Sequence, residues 1–421
     1  MRSFVFRILS LGTRFLAPIL VLRLSSSEML GKYYLFVTFC TSAVFFISFE
    51  MAIPFSRRYL AMPSPLGRRK VFQSLVTTQM VVASAIGLPA LSFFGFAGLH
   101  SGSLLFLPLV YLYLILEAGV NEVGRFYWNI GEVAHASLRD LLRSIFFAVG
   151  VILSVYLTGN AIGSLSLTII IFANAGILVF ELSRHGSLKP RIVPFGRTFR
   201  RFWRLMSVRV NLSVRESGIQ LLHLQILTAV PLLERMLLEI GLGLAVVGAY
   251  SFQFSLISAG VSLLLLPSIA VVRRMILSPQ RDLEDNAVHR SAAILFAKVS
   301  AVCLLVAAGT YVAIPILRML LHKNIETTPL MTLLACASAI ASIFAGAISP
   351  LFAGRERVFR GNFWTVIGIL PLPCGYMFMK MGFVGGASFT FSVAAFAAVL
   401  QMAPRLLFLM KGNFLFNRNS S

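Results

Sequence analysis

Apolar residues occur along this chain in runs long enough to cross a lipid bilayer, separated by short polar turns. A helix needs about 20 mostly apolar residues to span the hydrocarbon core. Twelve such windows are recognised, at residues 4–23, 33–56, 71–96, 104–123, 141–159, 163–182, 205–232, 244–270, 291–316, 328–352, 362–379 and 384–404. The pattern predicts an all-α polytopic membrane protein with about 12 transmembrane helices.

The composition agrees with this interpretation. Of the 421 residues, 58% are hydrophobic and only 12% are charged, whereas a soluble domain carries about 25% charged residues. The four cysteines are scattered within apolar runs and form no Cys/His cluster. Neither a disulfide framework nor a zinc site is therefore predicted, and the sequence indicates no metal or other cofactor.

Basic residues are distributed unevenly between the two sets of turns. Of the 37 lysines and arginines, 25 fall on one side of the predicted spans and six on the other. Because cytoplasmic loops are enriched in Lys and Arg, both termini are predicted to lie in the cytoplasm. This topology accounts for most of the net charge of +22, so the sequence does not call for a nucleic-acid partner.

The chain divides into two similar halves. Span 2 and span 8 both begin with a Gly-x-Tyr turn, at Gly31–Tyr33 and at Gly248–Tyr250. With six spans in each half, the repeats would be parallel, an arrangement in which transporters bind substrate between the halves. The predicted domains are an N-terminal six-helix bundle at 1–182, a basic cytoplasmic connector at 183–204 and a C-terminal six-helix bundle at 205–421.

Two spans at equivalent positions of the repeat carry polar stripes. On span 1 the residues are Ser3, Arg7, Ser10 and Arg14. On span 7 they are Arg209, Ser213, Glu216, Gln220 and His223, with Arg215 beside Glu216. Their spacing of three and four residues keeps each set on one helical face. Charges within the bilayer normally face a cavity or a partner, so both helices are predicted to line one central cavity.

The same residues have structural explanations that the sequence leaves open. Arg7 can simply extend its charge to the membrane surface. Arg215 and Glu216 can neutralise each other, and His223 can be a hydrogen-bonded packing residue.

Three carboxylates lie on other spans: Glu50 on span 2, and Glu117 and Glu122 on span 4. Asn121 follows Glu117 by one turn, and Glu122 is expected at the membrane interface. An embedded glutamate can carry a proton because desolvation favours its neutral form, or it can be a permanent counter-charge to an arginine. The sequence does not separate these roles.

Enzyme motifs are lacking in the sequence. It contains no Gly-rich phosphate loop, no G-x-S-x-G and no HExxH, which are the common signatures of nucleotide, hydrolase and metalloprotease chemistry. The predicted outer turns are also short and contain no adjacent carboxylates. We therefore expect that the protein is not an enzyme.

Three short motifs suggest a family. The chain contains Leu22-Arg23-Leu24 followed by Glu28-Met-Leu-Gly31-Lys-Tyr33. It then contains Glu234-Arg235-Met-Leu-Leu followed by Val247-Gly248-Ala249-Tyr250, and near its end Met381-Gly382-Phe-Val-Gly385-Gly-Ala387. In their order and positions these resemble the Wzx-type polysaccharide flippases, within the MOP superfamily that also holds MATE drug exporters. The resemblance covers almost the whole chain.

The resemblance implies two pseudo-symmetric six-helix bundles that alternate between inward and outward openings. The implied cargo is an oligosaccharide on an isoprenoid pyrophosphate carrier in the cytoplasmic (inner) membrane, for O-antigen, capsule or exopolysaccharide. A glycan polymerase and chain-length machinery are further partners that it implies. Arginine suits a diphosphate because it offers two parallel hydrogen-bond donors.

The candidate site residues follow from these arguments. Candidates for binding the pyrophosphate or sugar are Arg7, Arg14, Asn121, Arg215 and Gln220. Candidates for coupling or charge compensation are Glu50, Glu117, Glu216 and His223. The alternative function is that of a MATE-like cation-coupled antiporter of small organic molecules, in which Glu50, Glu117 and Glu216 would be the coupling groups.

Overall fold

The computed structural model of the protein describes residues 2–48, 51–95, 106–184, 229–277, 285–321, 328–348, 370–382, 389–390 and 392–397. All regular secondary structure within these ranges is α-helical. A helix satisfies its backbone hydrogen bonds internally, which lipid requires of any spanning segment. Seven helices of the described part are long and apolar enough to cross a membrane. The all-α, multi-span prediction is confirmed, whereas the total of 12 spans and the cytoplasmic termini stay predictions.

The described residues contain the following helices in chain order. The first seven are α1 (Arg2–Leu24), α2 (Ser27–Ser48), α3 (Ala52–Ala61), α4 (Pro65–Gly95), α5 (Phe106–Asn129), α6 (Val133–Thr158) and α7 (Ser164–Arg184). They are followed by α8 (229–242), then α9 (Leu244–Leu277), α10 (Asp285–Leu321), α11 (Pro329–Ile348) and α12 (Pro371–Lys380).

Two of the gaps between the predicted spans coincide with helix ends in the structure. After α6, Gly159 adopts a left-handed conformation (φ 71°) and its N–H bonds to the carbonyl of Val155, which ends the helix at the end of the predicted span 141–159. Between α8 and α9, Gly243 also has a positive φ of 86°. Gly243 lies in the gap between the predicted spans 205–232 and 244–270, and glycine tolerates this conformation.

The predicted single span at 33–56 is covered by two helices, α2 and α3. The backbone N–H of Ala52, at the start of α3, donates to Oε2 of Glu122 on α5 at 2.7 Å. A carboxylate is favoured there because the first N–H groups of a helix have no intrahelical acceptor and carry partial positive charge. Oε1 of Glu122 pairs with Arg125 at 3.3 Å, so this fully buried acid is a structural cap.

The chain forms two compact units. Unit 1 comprises residues 1–21 and 39–221, and unit 2 comprises residues 22–38 and 222–421. Helices α1 and α2 thus contribute to both units. In unit 1, α5 packs against α3, α4, α6 and α7; in unit 2, α9, α10 and α11 pack against one another. Beyond Arg184 the predicted connector at 183–204 lies outside the described residues, and the proposed domain boundaries stay a prediction.

The two Gly-x-Tyr sequences of the predicted repeat lie in helices α2 and α9 and not in turns, and their glycines lie against each other within unit 2. A Cβ atom added to Gly248 would lie 2.7 Å from the carbonyl oxygen of Ser27 and 2.9 Å from the backbone nitrogen of Gly31. A Cβ atom on Gly31 would overlap the backbone carbonyl of Leu244. Small residues allow such close backbone contact between membrane helices. The close contact therefore gives a physical reason for glycine at both positions.

We expect Gly248→Ala to lower the melting temperature of the purified protein in detergent. The added methyl group meets backbone atoms that cannot rotate away, and overpacking of this kind costs about 1–3 kcal/mol. Gly309→Ala is the matched control in α10, because an added Cβ there has no atom within 4 Å. Equal melting temperatures for the two variants would contradict the close-contact explanation.

Candidate functional site

The polar residues of unit 1 are concentrated where α5, α6 and α7 meet. Glu117 of α5 is 5% exposed, and its Oε1 forms an ion pair with Arg143 of α6. Its Oε2 accepts a hydrogen bond from Nδ2 of the buried Asn174 of α7 at 2.9 Å. Both carboxylate oxygens are therefore engaged, and the negative charge is balanced within the bundle. This arrangement supports the charge-compensating role considered for Glu117.

The positions of Glu117 along α5 and of Arg143 along α6 explain this pairing. Glu117 lies twelve residues before the end of α5, and Arg143 lies ten residues after the start of α6. At about 1.5 Å per residue, the two Cα atoms are about 18 Å and about 15 Å from the connecting turn. The side chain of Arg143 is long enough to cover the difference of about 3 Å between these two distances.

The polar stripe of α1 contacts the same bundle. Nε of Arg14 donates to Oγ of Ser144 on α6 at 3.0 Å, and Ser10 lies 2.9 Å from the same hydroxyl. The guanidinium of Arg7 lies 4.2 Å from the ring centroid of Trp128 on α5, within the range of a cation–π interaction. The arginine-bearing face of α1 is thus turned towards α5 and α6, while Arg14 itself remains exposed.

A second polar cluster lies at the start of α6 and the end of α7. Oε2 of Glu181 accepts a hydrogen bond from the hydroxyl of Tyr127 at 2.7 Å. Oε1 of Glu181 lies 2.9 Å from Nε2 of His135, and the same nitrogen lies 2.6 Å from Nη1 of Arg184. One buried carboxylate therefore connects α5, α6 and α7 at this end.

Arg139 is the most deeply buried cation of this cluster. It is 3% exposed, and none of its three guanidinium nitrogens has a hydrogen-bond partner among the described residues. Its guanidinium lies 5.2 Å from the ring centroid of Tyr127 and occupies the space that a side chain at Gly124 would need. The aromatic face and the nearby charges of Asp140 and Glu181 stabilise the cation without direct hydrogen bonds.

A groove of about 590 Å³ runs between α6 and α7. His135, Arg139 and Glu181 line its polar end. Its remaining wall is apolar and includes Leu142, Phe146, Phe172, Ala173, Gly176 and Phe180. The groove therefore connects a long apolar surface with the second polar cluster.

Unit 2 also has a buried polar centre. Oε1 of Glu234 on α8 accepts a hydrogen bond from Ser338 of α11 at 2.5 Å. Nε of the neighbouring Arg235 donates to Ser251 of α9 at 2.7 Å, and its guanidinium lies 5.1 Å from the ring centroid of Phe254. These two charged residues thus join α8 to α9 and α11.

The division of basic residues between the two sets of turns places Arg139 and Arg143 in one turn and Arg235, beside Glu234, in another, but all four residues lie inside helices. Arg139 and Arg143 belong to α6, which begins at Val133 and not near 141, and Glu234 and Arg235 are buried in α8. Assigning them to loops was wrong, because the opposite charges and hydroxyls that compensate them come from other helices. A Glu-Arg pair followed at once by apolar residues was the available signal for Glu234 and Arg235.

The predicted site residues are only partly covered by the structure. Arg7, Arg14 and Glu117 are placed as described above, and Asn121 lies half-buried one turn after Glu117 on α5. The remaining candidates lie outside the described residues: Glu50, Arg215, Glu216, Gln220 and His223. No group of His, Cys, Asp and Glu suited to a metal ion occurs in the part of the chain that the structure covers.

Comparisons with known proteins identify the architecture. No protein-family model matches the chain, and no curated protein sequence matches it. The structure of the MATE multidrug transporter DinF-BH is similar, with a TM-score of 0.62 and 15% identity over 97% of this chain and 93% of that one. An inward-facing multidrug resistance MATE family transporter of the MOP superfamily has a TM-score of 0.57 and 13% identity, over 99% and 95% of the two chains. The chain therefore has the fold of the MATE transporters.

Proposed function

We propose that the protein is a flippase that moves an isoprenoid-pyrophosphate-linked oligosaccharide across the cytoplasmic membrane for the synthesis of a surface polysaccharide. The fold supports a transporter that works by alternating access. The three motifs of the Wzx type support this cargo within that fold. The observation that carries the proposal is the charge balance among the described residues of unit 1, which favours an anionic substrate.

The acids of unit 1 are already engaged. Within the described residues, Glu117 pairs with Arg143, and Glu122 pairs with Arg125 and caps α3. Glu181 contacts Tyr127 and His135. Glu132 lies 4.0 Å from Arg184. Asp140 interacts electrostatically with Arg139 and Arg143. A cationic substrate would therefore have to compete with these partners for each carboxylate.

Helix α1 shifts this balance towards positive charge. It brings Arg7 and Arg14 to the bundle and contains no Asp or Glu. The exposed side chain of Arg14 is accessible from outside the bundle while its Nε bonds to Ser144. A guanidinium presented in this way suits a diphosphate, which accepts several charge-assisted hydrogen bonds. The carrier lipid would leave its apolar chain in the bilayer.

The experiment is deletion of the gene in its native host. We expect the deletion strain to lose its surface glycan and to accumulate the lipid-linked precursor on the cytoplasmic side of the membrane. Complementation with the wild-type gene is the control and should restore both. Normal glycan display in a deletion strain without a second flippase would overturn the proposal.

The second candidate function is cation-coupled antiport of small organic molecules. It is favoured by the buried Glu234 of unit 2. Within the described residues, this carboxylate accepts a hydrogen bond from the hydroxyl of Ser338, and the positive charge of the neighbouring Arg235 acts on it. Expression in an efflux-deficient host separates the two functions. Increased tolerance to cationic dyes would support antiport, whereas unchanged tolerance together with restored glycan in the deletion strain would support the flippase.

A further inference from the structure

The groove between α6 and α7 combines an exposed apolar wall with charged residues at one end. Its wall includes Phe172 and Phe180, which are 74% and 61% exposed. Both helices are long and apolar enough to cross a membrane, so an exposed apolar face on them contacts lipid chains and not water. The groove is therefore open to the lipid of the bilayer.

The length of the groove matches one leaflet of the bilayer. Along α7 its lining extends from Ile169 to Glu181, a separation of twelve residues or about 18 Å. The hydrocarbon core is about 30 Å thick, so one leaflet contributes about 15 Å. Because Glu181 lies in the last turn of α7, the groove runs from the helix end towards the bilayer centre. This geometry suits one acyl chain of a lipid whose headgroup lies at the helix end.

Charged side chains of both signs lie at this headgroup position. Arg184, at the end of α7, has a side chain that is 45% exposed, and the side chain of Glu132, immediately before α6, is 44% exposed. Nη2 of Arg184 and Oε2 of Glu132 are 4.0 Å apart, which is longer than a hydrogen bond. Nη1 of Arg184 lies 2.6 Å from Nε2 of His135, which lines the groove. An exposed cation and an exposed carboxylate therefore lie together at the polar end of the groove.

We propose that the groove between α6 and α7 binds a phospholipid whose headgroup carries a primary ammonium, such as phosphatidylethanolamine. The phosphate accepts charge-assisted hydrogen bonds from Arg184, and the ammonium donates to the carboxylate of Glu132. One acyl chain lies along the groove between Phe146 and Phe172. The inference holds for either proposed cargo, since it concerns a lipid of the bilayer and not the transported molecule.

Charge complementarity selects this headgroup. A headgroup whose only charge is its phosphate offers no positive charge to Glu132. A choline headgroup is positively charged, but its methylated nitrogen has no N–H to donate to the carboxylate. The deeper charges do not change this balance, because the buried Arg139 and Glu181 have opposite signs and interact electrostatically. A phosphate joined to a primary ammonium therefore matches both Arg184 and Glu132.

Native mass spectrometry of the full chain in detergent tests the headgroup preference. It measures the dissociation constants of added phosphatidylethanolamine, phosphatidylcholine and phosphatidylglycerol with identical acyl chains. We expect phosphatidylethanolamine to bind about tenfold more tightly than the other two lipids, which is the factor that one hydrogen bond between charged groups contributes. Binding of either comparison lipid that is as tight as that of phosphatidylethanolamine would overturn the proposal.

Gly176→Leu tests the position of the acyl chain. Gly176 lines the groove, and a Cβ atom added there has no atom within 4 Å, so the larger side chain extends into the groove from a position without a steric conflict. We expect binding of phosphatidylethanolamine to weaken about tenfold, because the leucine and the acyl chain compete for the same space. Gly309→Leu is the matched control on α10, where an added Cβ also has no atom within 4 Å, and it should leave the affinity unchanged. Unchanged binding to a monodisperse Gly176→Leu protein would overturn the assignment of the groove.

Glu132→Gln tests the contact with the ammonium. The substitution removes the negative charge, so the affinity for phosphatidylethanolamine should fall to that for phosphatidylcholine, while the affinity for phosphatidylcholine stays the same. Glu28→Gln is the matched control, since it removes an exposed carboxylate at the start of another helix and should retain the full preference. An undiminished preference for phosphatidylethanolamine in the Glu132→Gln protein would overturn the proposed role of this carboxylate.

Discussion

Replacing Glu117 with Gln should lower the stability of the protein more than any other single change of charge discussed above. The glutamine retains an amide oxygen for Asn174 but removes the negative charge that Arg143 needs within the bundle. Breaking one partner of a buried ion pair costs about 3–5 kcal/mol. Because the side chain of Arg143 is 24% exposed, we expect a loss of about 3 kcal/mol, at the lower end of this range. Thermal unfolding of the purified protein in detergent measures it.

The double variant Glu117→Gln with Arg143→Gln separates charge from packing. It removes both charges, so it should recover much of the stability that the single variant loses, as a double-mutant cycle would show. Glu28→Gln is a matched control, because it removes an exposed carboxylate in the first turn of α2. Additive effects of the two single changes would show that the pair does not interact.

Arg14→Ala should abolish transport while expression and membrane insertion stay normal. The substitution removes both the charge and the bidentate donors that a pyrophosphate would require, whereas Arg14→Lys keeps the charge and should retain a fraction of the activity. The measurement is restoration of surface glycan and clearance of the lipid-linked precursor in the deletion strain.

Two controls make the Arg14 result interpretable. Arg69→Ala removes an exposed arginine near the start of α4 and should transport normally. Ser144→Ala removes the acceptor of the Arg14 Nε hydrogen bond but leaves the guanidinium, so it should retain more activity than Arg14→Ala. Normal transport by Arg14→Ala would show that this residue is structural, and the pyrophosphate site would then have to be sought on span 7.

The fold could be predicted from the sequence because lipid imposes simple rules. Runs of apolar residues predicted the helices, and the short gaps between the runs predicted turns such as those that contain Gly159 and Gly243. The positions of charged residues could not be predicted in the same way. Glu122 and Arg143 lie within helices because Ala52 and Glu117, which belong to other helices, compensate them. Hydropathy is a property of a short stretch of sequence, whereas the compensation of a buried charge depends on which helices become neighbours.

The candidate site shows the same division. The spacing of Arg7, Ser10 and Arg14 correctly predicted a shared face of α1, since helical periodicity is local. The cluster of Tyr127, His135 and Glu181 was not predicted, because it is assembled from three helices by tertiary packing. A lone histidine near the start of an apolar run gave no indication that His135 would contact Tyr127 and Glu181.

The turn between α5 and α6 has a consequence for how the chain enters the membrane. Only Ile130, Gly131 and Glu132 separate the two helices, and Gly131 has a left-handed backbone (φ 88°). If α5 were transferred into lipid alone, Glu117 would enter without its cation. Residues 117 and 143 are close enough in the sequence for the salt bridge to form as soon as α6 leaves the ribosome. The two helices are therefore expected to partition into the bilayer together, as a hairpin whose charges are already neutralised.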